Sequence, residues 1–279
     1  MVTRGEARVR ALTVLRAAGV PSSALDADVL LAHVAGVGKE VLVAHPNAEL
    51  PRDAARRYDA LVARRAAGEP VAYLRGYKEF YGVTLGVDRR VLVPRPETET
   101  LVDAVRAFAA GRPLTVVDVG TGSGAIAIAL ARHEPALRII ATDIFAEALT
   151  VARENAAANG VAARIDFRQG DLLAPVNEPV DIIAANLPYL RSDALDDLTG
   201  DRASLAFEPR LATLSGDDGL ELIRRAAADL PRVLAAGGAA FFECDPPQVA
   251  ATRRLLSAVG TTNVIRDLAG RDRVVATRR

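Results

Sequence analysis

A glycine-rich turn is the strongest chemical signal in the chain. The run Gly120-Thr121-Gly122-Ser123-Gly124 follows an apolar, β-branched stretch at 114–119 and precedes a helical pattern that begins at Ala125. Glycines let a backbone turn sharply and approach a ligand closely, and the first turn of a helix offers unpaired N–H donors. The run therefore predicts a ligand-binding loop. Its spacing also fits the dinucleotide fingerprint, so the loop alone leaves nicotinamide and other adenosine cofactors open.

Two acids follow the next two strand-like stretches. Asp143 closes the stretch 138–142, and Asp171-Leu172 follow the stretch 165–168. An acid in the first position can accept both hydroxyls of a ribose, although it can also cap the helix predicted from Ala146. Asp171 can reach an adenine amino group while Leu172 covers the ring, and a plain turn is the alternative. Because parallel strands end at the same edge of a sheet, these residues are predicted to line one cofactor site.

The tetrapeptide Asn186-Leu187-Pro188-Tyr189 directly follows the apolar stretch 180–185. A planar NH2 group has two protons, and the Asn186 side-chain oxygen and the Leu187 carbonyl can accept one each. Pro188 fixes the local backbone, and Tyr189 offers a face for a flat amide or base. A strand that ends in a proline turn is the structural alternative. We predict a clamp for a planar amino group, with Asn186, Pro188 and Tyr189 as its catalytic residues.

Alternating strand and helix patterns must position these residues. From Leu114 onward they predict a parallel sheet with helices on both faces, a Rossmann-like α/β fold. The predicted strands are 114–119, 138–142, 165–168, 180–185, 239–244, 263–267 and 273–276. The last two lack a helix between them, so the final strand is expected to run antiparallel at or near an edge.

The residues before the sheet have a different pattern. Residues 1–69 carry helical periodicity and predict a small helical bundle. Residues 70–93 predict a linking β-hairpin with strands at 80–87 and 91–93 and a turn at Asp88–Arg90. The sheet domain is then expected to span 94–279.

Composition narrows the class of protein. The 279 residues include 35 basic and 35 acidic side chains, so net charge gives no support for a nucleic-acid or anionic-membrane surface. A single cysteine, Cys244, excludes a disulfide framework, and the three histidines lie far apart, so no metal site is predicted. Charges are too frequent near the N-terminus for a signal peptide, and no apolar run is long enough to span a bilayer. We expect a cytoplasmic monomer without a membrane or direct nucleic-acid partner.

Several stretches resemble one known family. The order of glycine loop, acid after the second strand and Asn-x-Pro-Tyr after the fourth resembles class I S-adenosylmethionine-dependent methyltransferases that modify planar nitrogens. Further motifs narrow the resemblance to the HemK/PrmC family of protein-(glutamine-N5) methyltransferases. They are Pro70–Gly76, Glu79–Gly82, Val91–Glu99, and Glu208–Ala212 leading to Gly216–Leu220. The proline–arginine–proline–glutamate–threonine–glutamate run at 94–99 is the most specific of them.

This resemblance implies a cofactor, a substrate and roles for single residues. The cofactor is S-adenosylmethionine, and the methyl acceptor is the glutamine of the Gly-Gly-Gln motif in class 1 peptide chain release factors. The helical domain at 1–69 is expected to meet that protein substrate. Arg95 and Glu97 are expected near the methionine end of the cofactor and at the substrate, together with the Asn186–Tyr189 clamp, although 94–99 can also be a rigid linker.

Two departures from the family pattern keep alternatives open. The family has proline where Leu187 stands, and Asn-Leu-Pro-Tyr also occurs in ribosomal RNA adenine dimethyltransferases. The family usually has isoleucine and glycine where Cys244-Asp245 follow Glu243. The alternatives are an adenine-N6 methyltransferase acting on rRNA or DNA, and a nicotinamide-dependent oxidoreductase or nucleotide-binding module.

Overall fold

The computed structural model describes residues 2–195 and 200–279. It divides into two compact units. The first comprises the chain through Gly76 and a segment that ends at Phe207. The second comprises Tyr77–Ala194 and Glu208–Arg279. The predicted boundaries at 69 and 93 stay predictions.

The first unit is built mainly from helices. They are α1 Arg4–Ala17, α2 Ser23–Ala35, α3 Lys39–Ala44, α4 Arg52–Ala66 and α5 Val71–Arg75, with two short paired strands, β1 Val2–Thr3 and β2 Glu49–Leu50. Leu15, Leu30 and Tyr58 are fully buried between the three longest helices. The Tyr58 hydroxyl donates to the Ala27 carbonyl at 3.0 Å, so its polar atom is satisfied inside an apolar core. The predicted helical bundle is confirmed.

The second unit carries a seven-stranded sheet. Its strands are β5 Thr115–Val119, β6 Arg138–Asp143, β7 Ile165–Gln169, β8 Val180–Ala185, β9 Leu234–Glu243, β10 Thr261–Arg266 and β11 Asp272–Arg278. They lie in the order β10-β11-β9-β8-β5-β6-β7. The strands from β9 to β7 pair in parallel, whereas β11 runs antiparallel to both of its neighbours. The predicted α/β sheet is confirmed, including its antiparallel final strand one place from the edge.

Helices cover both faces of this sheet. They are α6 Glu99–Ala109, α7 Ala125–His133, α8 Ala146–Ala158, α9 Glu221–Val233 and α10 Val249–Leu256. One apolar layer contains α6 and α7, and the opposite layer contains α9 and α10. The central strands β5 and β8 are buried on both faces, which explains their nearly continuous apolar sequences. Among the described residues, no helix is both long and apolar enough to cross a bilayer.

A hairpin precedes the sheet, but the predicted position of its turn is wrong. Strand β3, Tyr77–Phe80, pairs antiparallel with β4, Val83–Gly86, and residues 91–93 form no strand. The turn is therefore Tyr81-Gly82, with φ values of +46° and +74°, instead of Asp88–Arg90. Positive φ at both central residues matches the twist of a two-residue hairpin. Tyrosine is uncommon at the first of these positions, so Gly82 alone marked the turn in the sequence.

Candidate functional site

A cleft of about 460 Å³ lies at the carboxyl ends of the central strands. Most of the predicted ligand residues line it: Gly120, Gly122, Asp143, Asp171, Leu172, Asn186, Leu187 and Pro188. The other predicted residues are not part of its lining; they are Thr121, Ser123, Gly124, Tyr189, Arg95 and Glu97. The structure thus brings four separate strand ends to one cavity of the size that holds a small-molecule ligand.

The glycines of the loop have different surroundings. Gly120 and Gly122 have φ values of +70° and +54°, a conformation that favours glycine, and both face the cleft. A Cβ on Gly122 would meet no atom within 4 Å, whereas one on Gly120 would lie 3.2 Å from Leu187 Cδ2. Gly124 instead packs against helices, since a Cβ there would lie 2.8 Å from Ile128 Cδ1. Two glycines therefore leave backbone open to a ligand, and the third allows close packing.

A buried acid that sequence reasoning passed over supports this loop. Asp118 Oδ2 accepts from the Thr121 hydroxyl at 2.6 Å and from the Ala127 N–H at 3.1 Å. Full burial raises the pKa of Asp118 to about 7, and these two donors oppose the rise. The Thr121 side chain thus anchors the loop to Asp118. The Ser123 carbonyl gives a second anchor, because it accepts a hydrogen bond from Asn155 Nδ2 at 2.9 Å. The sequence could have indicated this role of Asp118, because an acid lies two residues before Gly120, the first glycine of the loop.

Asp143 lies next to the loop at the end of β6. Its two oxygens accept from the N–H groups of Gly122 at 2.9 Å and Phe145 at 3.0 Å. Burial raises the pKa of Asp143, and the backbone N–H groups of Phe145, Gly122 and Ile144 hold it down. The carboxylate therefore supports the glycine loop and the start of α8 while its position at the cleft leaves lone pairs for a ribose.

Asp171 and Leu172 lie on the neighbouring wall. Asp171 forms an ion pair with Arg225 of α9, and both side chains are almost half exposed. Leu172 has a φ of +49°, which is strained for a residue with a side chain, and its carbonyl accepts from the Thr142 hydroxyl at 2.9 Å. The hydrogen bond holds Leu172 in the cleft wall, where its side chain can cover a flat ring.

Asn186 is the first residue after β8. Its Nδ2 donates to the Thr98 hydroxyl at 2.9 Å, so its Oδ1 is the amide atom left for the cleft. Leu187 is only 2 % exposed, and its Cδ2 would lie 3.2 Å from a Cβ on Gly120, so its side chain packs against the glycine loop. The expectation that this position contributes mainly its backbone carbonyl, so that leucine can stand in place of proline, stays a prediction.

Tyr189 is held mainly through its backbone. Its carbonyl accepts from Gln248 Nε2 at 2.8 Å, and a Cβ on Gly219 would lie 2.2 Å from that carbonyl oxygen. Burial, reinforced by the Glu243 carboxyl, raises the pKa of Tyr189 to about 12. The phenol therefore stays neutral near pH 7 and acts as a hydrogen-bonding and apolar group.

The segment at 94–99 reaches the clamp through a residue that the sequence did not single out. Arg95 Nη2 forms an ion pair of 2.6 Å with Glu208, whose side chain is completely buried. Glu97 is exposed, whereas Thr98 is 3 % exposed and contacts Asn186. Arg95 thus anchors the segment, and Thr98 is the residue that touches the predicted catalytic amide.

A second wall of the cleft also lay outside the predicted site. It runs from Pro209 to Gly216 and includes Leu211, which is 68 % exposed. Leu190, just after the clamp, donates its N–H to the Thr213 carbonyl at 3.0 Å and accepts from the Ser215 N–H at 2.8 Å. This strand-like pairing fixes the clamp loop against the wall. The motif at 208–220 was noted for its family resemblance but carried no assigned role.

The lining of the cleft, as far as the structure describes the chain, contains hydrogen-bond acceptors and no cysteine or histidine. Asn186 and Leu187 line the cleft beside the glycine loop, where the Asn186 Oδ1 can accept a hydrogen bond. Asp143 in the same cleft is buried and hydrogen-bonded, whereas Asp171 and Arg225 are almost half exposed. Such a site can hold an NH2 group in a fixed orientation next to a bound ligand. Covalent catalysis would require an activated nucleophile, and Cys244 is fully buried with its pKa raised by burial to about 11.

The amino-acid sequence is similar to two family models and to several known proteins. Residues 6–76 match the model described as PrmC N-terminal domain, and residues 97–203 match the methyltransferase small domain. The release factor glutamine methyltransferase of Cereibacter sphaeroides is 42 % identical over 268 residues, covering 95 % of this chain and 94 % of the relative. The enzyme of the same name from Moorella thermoacetica is 41 % identical over 277 residues, covering 98 % and 97 %.

Two solved methyltransferase structures share part of this fold. A ribosomal protein L11 methylase from Lactobacillus delbrueckii subsp. bulgaricus superposes with a TM-score of 0.50 at 27 % identity, covering 68 % of this chain and 82 % of that chain. A 16S rRNA N2 G1207 methyltransferase from T. thermophilus, solved with AdoMet and guanosine, gives a TM-score of 0.50 at 17 % identity, covering 73 % and 49 %. The second likeness concerns the fold alone.

Proposed function

The chain belongs to the family of release factor glutamine methyltransferases, and on this premise we propose that it methylates class 1 peptide chain release factors. The methyl group comes from S-adenosylmethionine, and the acceptor is the side-chain amide nitrogen, N5, of the glutamine in the Gly-Gly-Gln motif. The reaction takes place in the cytoplasm and modulates translation termination. Identity of about 40 % over nearly the whole length of both relatives supports this proposal.

The position of the Asn186 amide is the observation that carries the proposal. The side chain projects from the end of β8 into the same cleft as Gly120 and Asp143, with its NH2 group bound to Thr98. A primary amide has two N–H donors, and in this proposal Asn186 Oδ1 and the Leu187 carbonyl accept one each. The cleft therefore matches a glutamine side chain presented to a neighbouring cofactor.

The residues at the strand ends fit S-adenosylmethionine. Gly120 and Gly122 expose backbone where any side chain would be strained, Asp143 offers carboxylate lone pairs for ribose hydroxyls, and Leu172 offers an apolar face for adenine. When bound, the cofactor would supply an electrophilic methyl group for the amide nitrogen, with the thioether sulfur as the leaving group that keeps the electron pair of the carbon–sulfur bond. No residue of the chain has to supply a covalent nucleophile.

The chain's own residues align the amide and stabilise its changing charge. An amide nitrogen is a poor nucleophile because its lone pair is delocalised, and fixed alignment of two reactants can contribute roughly 7–11 kcal/mol. Asn186 Oδ1 and the Leu187 carbonyl accept from the amide NH2, and their partial negative charges stabilise the positive charge that grows on nitrogen. One N–H proton then leaves to water. Pro188 holds the backbone of the clamp.

The helical domain at 1–69 recognises the release factor in this proposal, and the enzyme acts as a monomer. Its match to the PrmC N-terminal domain over residues 6–76 supports a role shared with the relatives. Equal numbers of acidic and basic residues favour a protein substrate over nucleic acid, where phosphate contacts dominate affinity.

Transfer of labelled methyl groups tests the proposal. The purified protein is incubated with methyl-labelled S-adenosylmethionine and, in parallel, with a class 1 release factor, with the same factor carrying Gly-Gly-Ala, and with ribosomal RNA. We expect label only on the factor with the intact motif. Label on RNA and none on the factor would favour the adenine-N6 alternative and refute the proposal.

A further inference from the structure

One buried amide side chain on α8 bonds three backbone groups that belong to two different segments. Asn155 is 4 % exposed. Its Oδ1 accepts from the Gly86 N–H at 2.7 Å, and its Nδ2 donates to the Gly86 carbonyl at 3.0 Å and to the Ser123 carbonyl at 2.9 Å. Gly86 ends the hairpin strand β4, and Ser123 belongs to the glycine loop. The side chain therefore joins the hairpin to the loop.

The pattern of donors and acceptors around Asn155 fixes the orientation of its amide. An asparagine side chain has two N–H donors and one carbonyl oxygen. Here the donors meet two carbonyl groups and the oxygen meets an N–H, so a reversed amide would place its oxygen against both carbonyls. Aspartate has the same shape but no donor, and alanine has neither donor nor acceptor. Loss of the amide would therefore remove a partner from three backbone groups, which is costly inside a protein.

The segment that follows Gly86 forms a wall of the cleft that the sequence did not indicate. Residues 90–92 line the cleft together with the glycine loop. The chain reaches this wall through a compact turn, in which Arg90 forms an ion pair of 2.7 Å with Asp88. Glu154 of α8 also lies 3.8 Å from Arg90. The position of Gly86 therefore helps to decide where the wall lies relative to the loop.

We infer that Asn155 is a positioning residue for the cofactor, because its amide fixes the spacing between the glycine loop and the wall at 90–92 before the cofactor binds. This inference rests on the proposed function, in which the cleft holds S-adenosylmethionine. Glycines have many backbone conformations available, and affinity falls in proportion to the fraction of molecules whose site has the binding conformation. In the described part of the chain, the cleft lining does not include Asn155, so this residue acts through the two segments that it joins.

Asn159 provides a matched control on the same helix. It lies one turn after Asn155, and its Nδ2 donates to the Thr84 carbonyl of β4 and to the Asn155 carbonyl, both at 2.9 Å. Its two N–H donors are thus used on the hairpin and on α8 itself. Asn159→Ala removes a contact to the hairpin and leaves the glycine loop untouched, whereas Asn155→Ala removes the bridge between hairpin and loop.

Calorimetric titration with S-adenosylmethionine measures the effect without any turnover. We expect Asn155→Ala to raise the Kd about tenfold, the size of a lost buried hydrogen bond, and Asn159→Ala to leave it nearly unchanged. Leu92→Ala should raise the Kd about fivefold, because the wall loses apolar contact with the ligand. In the double variant of Asn155 and Leu92 the increase should stay well below the product of the two single effects, because the wall is already displaced.

Each alternative result has one meaning. An unchanged Kd in Asn155→Ala, or an equal loss in Asn159→Ala, would overturn the inference and leave the proposed function intact. Single effects that multiply in the double variant, or a Leu92→Ala variant that binds as tightly as wild type, would also overturn it. A wild-type protein that does not bind S-adenosylmethionine would instead refute the proposed function. Melting temperatures show whether each variant is folded; if Asn155→Ala is not, Asn155→Asp decides the question, since it keeps the shape and the acceptor but has no donor.

Discussion

Replacing Glu243 by glutamine should change how the stability of the protein depends on pH. Burial raises the pKa of this carboxyl from its usual 4.5 to about 7, so between these values the folded chain holds a proton that the unfolded chain has released. The bound proton therefore contributes to the free energy of unfolding. This contribution is complete below pH 4.5 and is lost as the pH rises through 7. A shift of this size corresponds to about 3 kcal/mol. Glutamine does not titrate, so the free energy of unfolding of the variant should not fall with pH through this position, as that of the wild type does.

Urea unfolding at pH 4.5 and pH 8 measures this effect. The free energy of unfolding of Glu243→Gln relative to wild type should increase by up to about 3 kcal/mol between the two conditions. The buried Asp118, whose pKa also rises to about 7, is present in both proteins and cancels in the comparison. Glu147→Gln, at an exposed position on α8, is the matched control and should show no such change. Equal differences at both pH values would refute the reasoning that burial penalises the ionised form of Glu243.

Three further substitutions test the clamp, the loop and the cleft wall. Asn186→Ala should lower turnover by about 10²–10³, the cost of one preorganised polar contact, while S-adenosylmethionine still raises the melting temperature; an unchanged rate in the methyl-transfer assay would contradict the clamp. Gly120→Ala should weaken S-adenosylmethionine binding measured by calorimetry, whereas Gly19→Ala, with a similar φ of +71° and open surroundings, should share only the backbone strain. Arg225→Ala removes a nearly half-exposed ion pair with Asp171 and should change the free energy of unfolding by less than about 1 kcal/mol in a urea titration.

The local patterns of the sequence predicted the sheet well. Stretch 114–119 became β5 at Thr115–Val119, and stretch 180–185 became β8 with the same bounds. Buried parallel strands have continuous apolar sequences, and the glycine loop after β5 marks the strand end directly. The ends of such strands meet at one edge, so the gathering of Gly120, Asp143 and Asn186 followed from topology.

The parts that sequence reasoning missed depend on contacts between distant residues. Thr98 and Asn186 are separated by 88 positions, and nothing in the local pattern of either residue indicates their hydrogen bond. Arg95 pairs with Glu208, 113 positions away, and the sequence did not indicate this ion pair; the expected place of Arg95 at the substrate stays a prediction. Buried polar groups choose partners by three-dimensional packing, which a single sequence does not reveal. The wall at 209–216 was missed for the same reason, because its pairing with Leu190 is set by tertiary contacts.

Mass-spectrometric mapping of the transferred methyl group tests the central claim most directly. A release factor is incubated with the wild-type protein and S-adenosylmethionine, digested, and its Gly-Gly-Gln peptide is fragmented. The account predicts one methyl group on the side-chain nitrogen of that glutamine, and a large loss of this product with Asn186→Ala. A methyl group on another residue, or equal amounts of product with and without the Asn186 amide, would contradict it.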